Sequence, residues 1–253
     1  MSKFLRDLIA GSFIGRLPIR VKSGVAKGAL WSLYPWTSYW RGTHESEEQE
    51  QVCGLYEDWT GMHVWDLGSH YGIYAVGLGC RVGPTGSVAA FEPNPLSFSR
   101  LKLHVTRNKL DHVSLFPCAV SENQGQQRMF YYEGMETTTS HLAYENETWN
   151  ETIETADVAT VRLDDLVASG KIFPPDFIKV DVEGHGHKAL LGAKDTLRKC
   201  RPTLVIGMHS DEEIAGIMEL LSPLQYDITP IDSKAPKTPT VSYDYIFKPI
   251  NLS

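Results

Sequence analysis

The sequence predicts a Rossmann-like, doubly wound α/β fold whose seven-stranded, mostly parallel sheet ends in an antiparallel C-terminal hairpin. Short apolar runs alternate with helical patterns, which is typical of parallel βαβ units. Polar residues follow several of these runs, at the strand ends where such sheets bind ligands. The last two apolar runs flank a turn that contains proline and lysine, which indicates a hairpin. A chain of 253 residues suits one such domain.

The net charge, the cysteines and the apolar runs of the chain argue against several classes of function. The net charge of −7 argues against nucleic acid as a partner. Four cysteines without a C-x-x-C motif are typical of reduced thiols. The chain has no apolar run that could span a bilayer and no signal-peptide pattern, so we expect a cytoplasmic protein and treat the glycosylation sequons at 146–148 and 150–152 as chance matches. The oligomeric state stays open.

Residues 1–45 are predicted to form a helical, aromatic N-terminal cap, with the main domain spanning 46–253. Apolar residues within 4–13 recur at helical spacing, and we expect this helix to pack on the domain. Basic residues between them leave contact with a membrane or anionic partner as the less favoured alternative. Aromatic density is high between 31 and 40, so we expect the cap to form one wall of the site; the rings are Trp31, Tyr34, Trp36, Tyr39 and Trp40.

The stretch 63–72, H-V-W-D-L-G-S-H-Y-G, predicts a buried strand, a tight turn and a helix start. The Asp66 carboxylate disfavours a phosphate and favours a cation or a ligand rich in hydrogen-bond donors. G-x-G-x-x-G is not present, since His70 and Tyr71 stand where they would crowd a pyrophosphate. The turn therefore favours S-adenosylmethionine over NAD as the ligand.

The remaining elements follow in order. Before this stretch, Ser46 and Gln49 fit a capping box for a helix that ends at Gly61. Ser210 and Glu213 fit a second one. The polar segment 122–157 predicts an extra strand and a lid-like loop. The sequence further predicts strands at 88–91, 113–116, 158–163, 177–184 and 203–208. It predicts helices at 73–81, from 95, at 164–167, after 184 and from 211, and the hairpin at 226–231 and 243–247.

The residues that follow the strands are the candidates for chemistry. Glu92 follows the second strand, where an acid suits the two hydroxyls of a ribose. His209 follows the fifth, and a neutral imidazole there could take the proton of an acceptor hydroxyl. Stabilisation of the loop before Ser210 is an equally favoured role for His209. Asp181, after the fourth strand, is the second candidate base.

A metal site is the weaker interpretation of the segment 181–187. His185 and His187 could join Asp181 and Glu183 as nitrogen and oxygen ligands. Residues two apart at a helix start do not face one point, so we predict no metal.

Three motifs in this order resemble the FkbM-type methyltransferases, class I enzymes that use S-adenosylmethionine. They are D-L-G-S-H-Y-G from Asp66, F-E-P-N-P at 91–95 and I-K-V-D-V-E-G at 178–184. The resemblance covers about 42–206, and G-T-H-E at 42–45 is similar to the segment of the family upstream of the first strand. The first forty residues and the segment 122–157 lie outside it.

The resemblance implies roles for individual residues. Gly68 and Gly72 would shape the cofactor loop, with Asp66 near the methionine end. Glu92 would hold the ribose hydroxyls, and Asp181 would lie near the methionine ammonium and sulfonium groups. The other implied cofactor contacts are Glu45, Ser69, Tyr71, Asn94, Cys118 and Ala119.

The sequence thus predicts an S-adenosylmethionine-dependent O-methyltransferase for a hydroxyl of a sugar, glycan or secondary metabolite. Two alternatives stay open. One is an NAD-dependent oxidoreductase, and the other is a cofactor-binding module without catalysis.

Overall fold

The apolar runs form the strands of two sheets and a hairpin in the computed structural model, which describes residues 17–33, 38–132, 140–142 and 153–250. In chain order the strands are β1 (Pro18–Arg20), β2 (Leu30–Ser32), β3 (His63–Leu67), β4 (Ser87–Phe91), β5 (Val113–Phe116), β6 (Ala119–Val120), β7 (Gly125–Tyr132), β8 (Ser140–Leu142), β9 (Ile153–Val161), β10 (Phe177–Val180), β11 (Thr203–Gly207), β12 (Tyr226–Pro230) and β13 (Asp244–Pro249).

The larger sheet has seven strands in the order β12-β13-β11-β10-β3-β4-β5. The five strands from β11 to β5 are parallel, whereas β13 is antiparallel to both β11 and β12. The predicted fold class is therefore confirmed. Because the carboxyl ends of parallel strands share one edge, Glu92, Asp181 and His209 come to the same side of the sheet.

Apolar side chains cover both faces of the central strands, which explains why these strands appear in the sequence as nearly unbroken apolar runs. One buried cluster includes Val64, Val76, Leu78, Leu101 and Phe177. The cluster on the opposite face includes Trp65, Leu67, Ile178, Leu204 and Ile206. Burial on both faces fixes the strand ends, and so fixes where the loops after them start.

Seven α-helices lie in the described part of the chain: α1 (Ser46–Cys53), α2 (Ile73–Val82), α3 (Pro95–Arg107), α4 (Leu163–Ala168), α5 (Gly186–Leu191), α6 (Lys194–Cys200) and α7 (Asp211–Leu221). Pro95 is the first residue of α3, as predicted, and the Asn94 side chain caps it by accepting the N–H of Leu96 at 2.9 Å. The helix predicted after β10 is split into α5 and α6 around Gly192.

Two predicted helix starts differ from the structure. Glu45, in the left-handed region at φ 47°, is the N-cap of α1, so Ser46 is already helical and forms no capping box. The helix ends at Cys53 rather than at Gly61. At α7 the hydroxyl of Ser210 does accept the N–H of Glu213, at 3.1 Å. The Glu213 carboxylate, however, accepts the N–H of His209 instead of that of Ser210.

The segment after β5 forms a second, four-stranded sheet in the order β6-β9-β7-β8. The strand predicted at 158–163 therefore lies in this sheet and not in the seven-stranded one. Its β7 brings the buried side chain of Met129 to the cavity described below. The lid predicted for 122–157 stays a prediction, since 133–139 and 143–152 lie outside the described residues.

The described part of the predicted cap is a β-hairpin, β1 with β2, followed by a 3-10 turn at Tyr39–Arg41, and not a helix. Trp31 is fully buried and stacks on His104, with ring centroids 3.6 Å apart. The predicted helix within 4–13, Tyr34 and Trp36 lie outside the described residues, and the boundary at 45 and 46 stays a prediction. Among the helices described, none has the length and apolar character needed to cross a membrane.

Candidate active site

A cavity of about 350 Å³ opens at the carboxyl edge of the larger sheet. This volume lies in the range of small-molecule sites. Nine of the residues predicted to form the site line it: Glu45, Gly68, Ser69, Tyr71, Glu92, Cys118, Ala119, Asp181 and His209. Most of the predicted site residues therefore lie together, as expected for residues that follow the carboxyl ends of parallel strands.

Three predicted site residues do not line the cavity. Asp66 is 1% exposed, with its side chain buried against one face of the sheet, and burial raises its pKa to about 6. Asn94 is buried as the cap of α3. Gly72 has φ 90°, and a Cβ there would lie 2.5 Å from the Leu101 side chain. These three residues lie outside the cavity wall and support the loop that forms it. The buried position of Asp66 gives no support to the prediction that it contacts a ligand.

Gly68 is required for a reason that the sequence did not suggest. Its φ is 86°, and a Cβ would lie 1.8 Å from the carbonyl oxygen of Asp181. The resemblance implied only that this glycine shapes the cofactor loop. The structure shows instead a close approach between the loop after β3 and the end of β10, which fixes the two loops against each other.

Glu92 marks one end of the cavity, named here the Glu92 end. Its two carboxylate oxygens accept the backbone N–H groups of His70 at 2.7 Å and Asn94 at 2.8 Å. Burial raises the pKa of Glu92 to about 7, against the effect of these hydrogen bonds. Cys118 and Ala119 lie beside it on the wall. The carboxylate is thus held in a fixed position with acceptor capacity left for a ligand.

The part of the wall that follows β10, separated from Glu92 by β3 in the sheet, is named here the ionic end, and it is built on the pair Lys179 and Asp181. Lys179 Nζ lies 3.0 Å from Asp181 Oδ2 and 3.2 Å from Glu48 Oε1, and its side chain is 4% exposed. Burial works to raise the pKa of Asp181, but Lys179 and His209 outweigh it and hold that pKa well below its ordinary value. Asp181 is therefore a carboxylate throughout the physiological pH range.

His209 meets three carboxylates. Its Nε2 lies 3.4 Å from Asp181 Oδ1 and 3.7 Å from Glu183 Oε2, and its Nδ1 lies 3.5 Å from Glu213 Oε2. Burial alone would lower the pKa of His209, but the carboxylates raise it to about 10. His209 was predicted to act as a neutral imidazole, whereas the three carboxylates favour its imidazolium form in the ligand-free protein.

The histidines considered for a metal site are placed apart from the acids. His185 lines the cavity, where its Nε2 lies 3.1 Å from Ser121 Oγ, and burial lowers its pKa to about 4. His187 packs against Gly216 of α7. The residues that do converge are Asp181, Glu183 and His209, whose ligand atoms all lie within 4.8 Å of one another.

Several wall residues were not predicted as site residues. Tyr39 was predicted only as part of an aromatic wall, and its hydroxyl lies 2.9 Å from His70 Nδ1. Lys179 is a charged residue inside the apolar run of β10, and this irregularity is the sequence signal that could have identified it. No sequence signal pointed to Asp244 at the start of β13. The further wall residues missed by sequence reasoning include His44, Tyr74, Met129 and Tyr243.

The residues of the cavity fit S-adenosylmethionine. Among the described residues, the wall carries five carboxyl side chains and one lysine: Glu45, Glu92, Asp181, Glu183, Asp244 and Lys179. Such a wall suits a ligand with ammonium and sulfonium groups and would repel a pyrophosphate. Glu92 can accept the ribose hydroxyls, while the ionic end would receive the methionine part.

Comparison with known proteins agrees with this fit. The model of the methyltransferase FkbM domain matches residues 66–228. The hexuronic acid methyltransferase AglP of Haloferax volcanii is 27% identical over 191 residues, 72% of this chain and 71% of that protein. The 31-O-demethyl-FK506 methyltransferase FkbM of Streptomyces tacrolimicus is 26% identical over 156 residues, 52% of this chain and 59% of that protein.

A solved structure agrees at the level of the fold. The methyltransferase FkbM from Methylobacillus flagellatus has a TM-score of 0.55 and 18% identity over 78% of this chain and 46% of that one. The chain thus spans less than half of that structure and between about three fifths and seven tenths of the two relatives. Since the family model matches well over half of the chain, the protein belongs to the FkbM methyltransferase family, and its methyl donor is S-adenosylmethionine.

Proposed function

We propose that the protein is an O-methyltransferase that acts on a hydroxyl of a sugar, glycan or secondary metabolite. The observation that carries this proposal is the joining, in one cavity, of the Glu92 end with the ionic end. The first suits the ribose of the cofactor, and the second suits its cationic methionine part. S-adenosylmethionine would supply a methyl group from its sulfonium sulfur, which keeps the electron pair of the broken C–S bond, while the acceptor oxygen loses its proton.

The chain's own residues would bind and orient the cofactor. Glu92 would accept both ribose hydroxyls, because its carboxylate is already fixed by two backbone N–H groups. Cys118 and Ala119 would border the adenine, and Asp181 would face the ammonium and sulfonium groups. Holding both ends fixes the direction in which the methyl group points, and alignment of this kind is a large part of catalysis.

Asp181 and His209 are the proposed catalytic residues. They lie 3.4 Å apart on the wall, where an acceptor hydroxyl could reach both. As a base His209 must first be neutral. A cationic ligand beside Asp181 lowers the pKa of His209, since the two positive charges compete for the same carboxylate. Arrival of the cofactor would therefore move His209 toward the state that a base requires.

The relatives support the acceptor class. AglP is named a hexuronic acid methyltransferase, and the Streptomyces tacrolimicus protein is named a 31-O-demethyl-FK506 methyltransferase. Both names point to oxygen-rich acceptors. We propose such an acceptor for this protein, held between the wall of aromatic rings, which includes Tyr39 and Tyr71, and the ionic end.

The test is methyl transfer from labelled S-adenosylmethionine to a panel that contains hexuronic acids, neutral sugars and macrolide alcohols. We expect label in at least one of these classes. His209→Ala should lower the transfer by roughly a hundredfold while the affinity for S-adenosylhomocysteine holds. Asp227→Asn, an exposed change on the edge strand β12, is the control and should leave both unchanged.

Two outcomes would count against the proposal. Tight cofactor binding without transfer to any oxygen acceptor would favour the cofactor-binding module without catalysis. Transfer that is unaffected by His209→Ala would remove His209 from the catalytic residues. The family assignment has already replaced the alternative of an NAD-dependent oxidoreductase.

A further inference from the structure

We propose that Asp181, Glu183 and His209 form a binding site for a divalent cation on the wall of the cavity. One ligand atom from each residue lies within 4.8 Å of the other two. His209 Nε2 is 3.4 Å from Asp181 Oδ1 and 3.7 Å from Glu183 Oε2. Ligand atoms bound to one cation at roughly 2.0–2.2 Å lie roughly 3.0–3.5 Å apart. Small side-chain movements therefore suffice to enclose an ion.

The orientation of the imidazole is the second observation. The buried Glu213 carboxylate accepts the backbone N–H of His209 at 2.9 Å and lies 3.5 Å from His209 Nδ1. Nδ1 faces Glu213 without forming a hydrogen bond, and Nε2 is the nitrogen that the ring presents to the two carboxylate oxygens. Such an arrangement needs a positive centre between the three atoms, either a proton or a metal ion. A buried carboxylate behind a histidine is the usual partner of a metal-binding imidazole.

The charged groups beside the three ligands permit a cation to bind. Lys179 binds Oδ2 of Asp181 at 3.0 Å, and so Oδ1 remains directed at His209. The positive charge of Lys179 is shared with Glu48 at 3.2 Å, which reduces its repulsion of a second cation. Asp244, also on the cavity wall, adds a further carboxyl group, whose pKa burial raises.

The donor set indicates the kind of ion. Two carboxylates and one imidazole suit Mn²⁺, Fe²⁺ or Zn²⁺, and Mg²⁺ less well because of the nitrogen ligand. Side-chain exposures of 32%, 26% and 26% for Asp181, Glu183 and His209 leave one side open toward the cavity. Three protein ligands with open positions are typical of sites that bind a substrate rather than of structural sites.

The open positions would take two oxygens of the acceptor, as a vicinal diol or a hydroxy acid offers them. This role rests on the proposed function, whereas the cation site itself does not. With the ion bound, His209 would hold the ion beside the acceptor hydroxyl; without the ion, His209 keeps the role of base proposed above. The cation would also offset the negative wall, which would otherwise repel an acidic sugar.

The experiment measures Mn²⁺ binding to the full chain after treatment with a chelator, without cofactor or acceptor. Electron paramagnetic resonance of free Mn²⁺ and calorimetry should show one bound ion per chain. Asp181→Asn, Glu183→Gln and His209→Gln should each weaken binding by at least about tenfold. Glu212→Gln, an exposed change on α7, should leave it unaltered, and thermal unfolding checks that each variant is folded.

Absence of Mn²⁺ and Zn²⁺ binding below about 1 mM by the unaltered protein would overturn the site. Binding that survives all three ligand substitutions would overturn it as well. The result separates this inference from the proposed function. A protein that transfers methyl groups in excess chelator has the function without the ion, and one that binds Mn²⁺ but methylates no oxygen has the site without the function.

Discussion

The two ends of the cavity both place carboxyl groups away from water, yet their pKa values move in opposite directions. At the Glu92 end, burial dominates and raises the pKa of Glu92 to about 7. At the ionic end, Lys179 and His209 overcome burial and hold the pKa of Asp181 well below its ordinary value. Burial alone therefore does not decide the charge of a site; the nearest cation does. One end can accept hydrogen bonds from a neutral sugar, and the other keeps a permanent negative charge.

Removing the cation of the ionic end should give the largest effect. Lys179→Met leaves Asp181 and Glu48 as carboxyl groups without their shared partner, which we expect to cost about 3 kcal/mol or more of unfolding free energy. The measurement is urea-induced unfolding near pH 7.5. Lys248→Met, an exposed change on β13, is the matched control and should cost less than about 0.5 kcal/mol.

The contrast between the two ends also depends on this result. If Lys179→Met unfolds at the same urea concentration as the control, then Lys179 does not determine the charge of Asp181. The difference between the ends would in that case need another cause.

A smaller but clear effect should come from Gly68, which holds the loop beside Glu92 against the end of β10. An alanine Cβ would lie 1.8 Å from the Asp181 carbonyl oxygen, so Gly68→Ala must displace one loop. We expect a loss of about 2 kcal/mol of stability and at least tenfold weaker binding of S-adenosylhomocysteine, by thermal unfolding and calorimetry.

Gly170→Ala separates two possible causes of the loss in Gly68→Ala, which are backbone strain and the contact with Asp181. Gly170 has φ 69°, also in the left-handed region, but a Cβ there would meet nothing within 4 Å. It should lose about 1 kcal/mol from backbone strain and no cofactor affinity. Equal losses in both variants would show that strain and not the contact with Asp181 makes Gly68 necessary.

The sequence was sufficient for the elements whose cause is local. Buried strands appear as apolar runs, and the edge rule for parallel strands brought Glu92, Asp181 and His209 to one cavity. The prediction that Asp66 lies near the methionine end of the cofactor rested on its place at a strand end, and such a residue need not face the cavity. In β3 its side chain is instead buried against the sheet, and Lys179 of β10 is its neighbour in the register of the two strands.

Long-range placement was the part that could not be predicted. The charge of His209 depends on three carboxylates from two segments, one after β10 and one within α7. The pairing of Lys179 with Glu48 depends on where α1 lies against the sheet. Neither spacing nor periodicity carries this second kind of information, because Lys179 and Glu48 are separated by more than a hundred positions in the chain.

The Glu92 end offers the smallest effect and a test by pH. The carboxylate form accepts two ribose hydroxyls, whereas the protonated form has one acceptor fewer. Since the pKa of Glu92 is about 7, its ionised fraction rises between pH 6 and 8, and binding of S-adenosylhomocysteine should tighten by about tenfold. Stability has the opposite sign: a raised carboxyl pKa favours the folded state below about pH 4.5, and this contribution is lost as pH rises through 7.

Glu92→Gln should remove this pH dependence, because the amide does not titrate, and should weaken binding at pH 8 by roughly tenfold. Other groups, including His209 on the wall and the buried Asp66, keep their own titration, so the relevant quantity is the difference between the two pH profiles. Glu57→Gln, an exposed change before Trp59, should reproduce the unaltered profile. A profile of Glu92→Gln that still tightens tenfold between pH 6 and 8 would place the titrating group at the ionic end, and the two ends would then not differ in the way proposed.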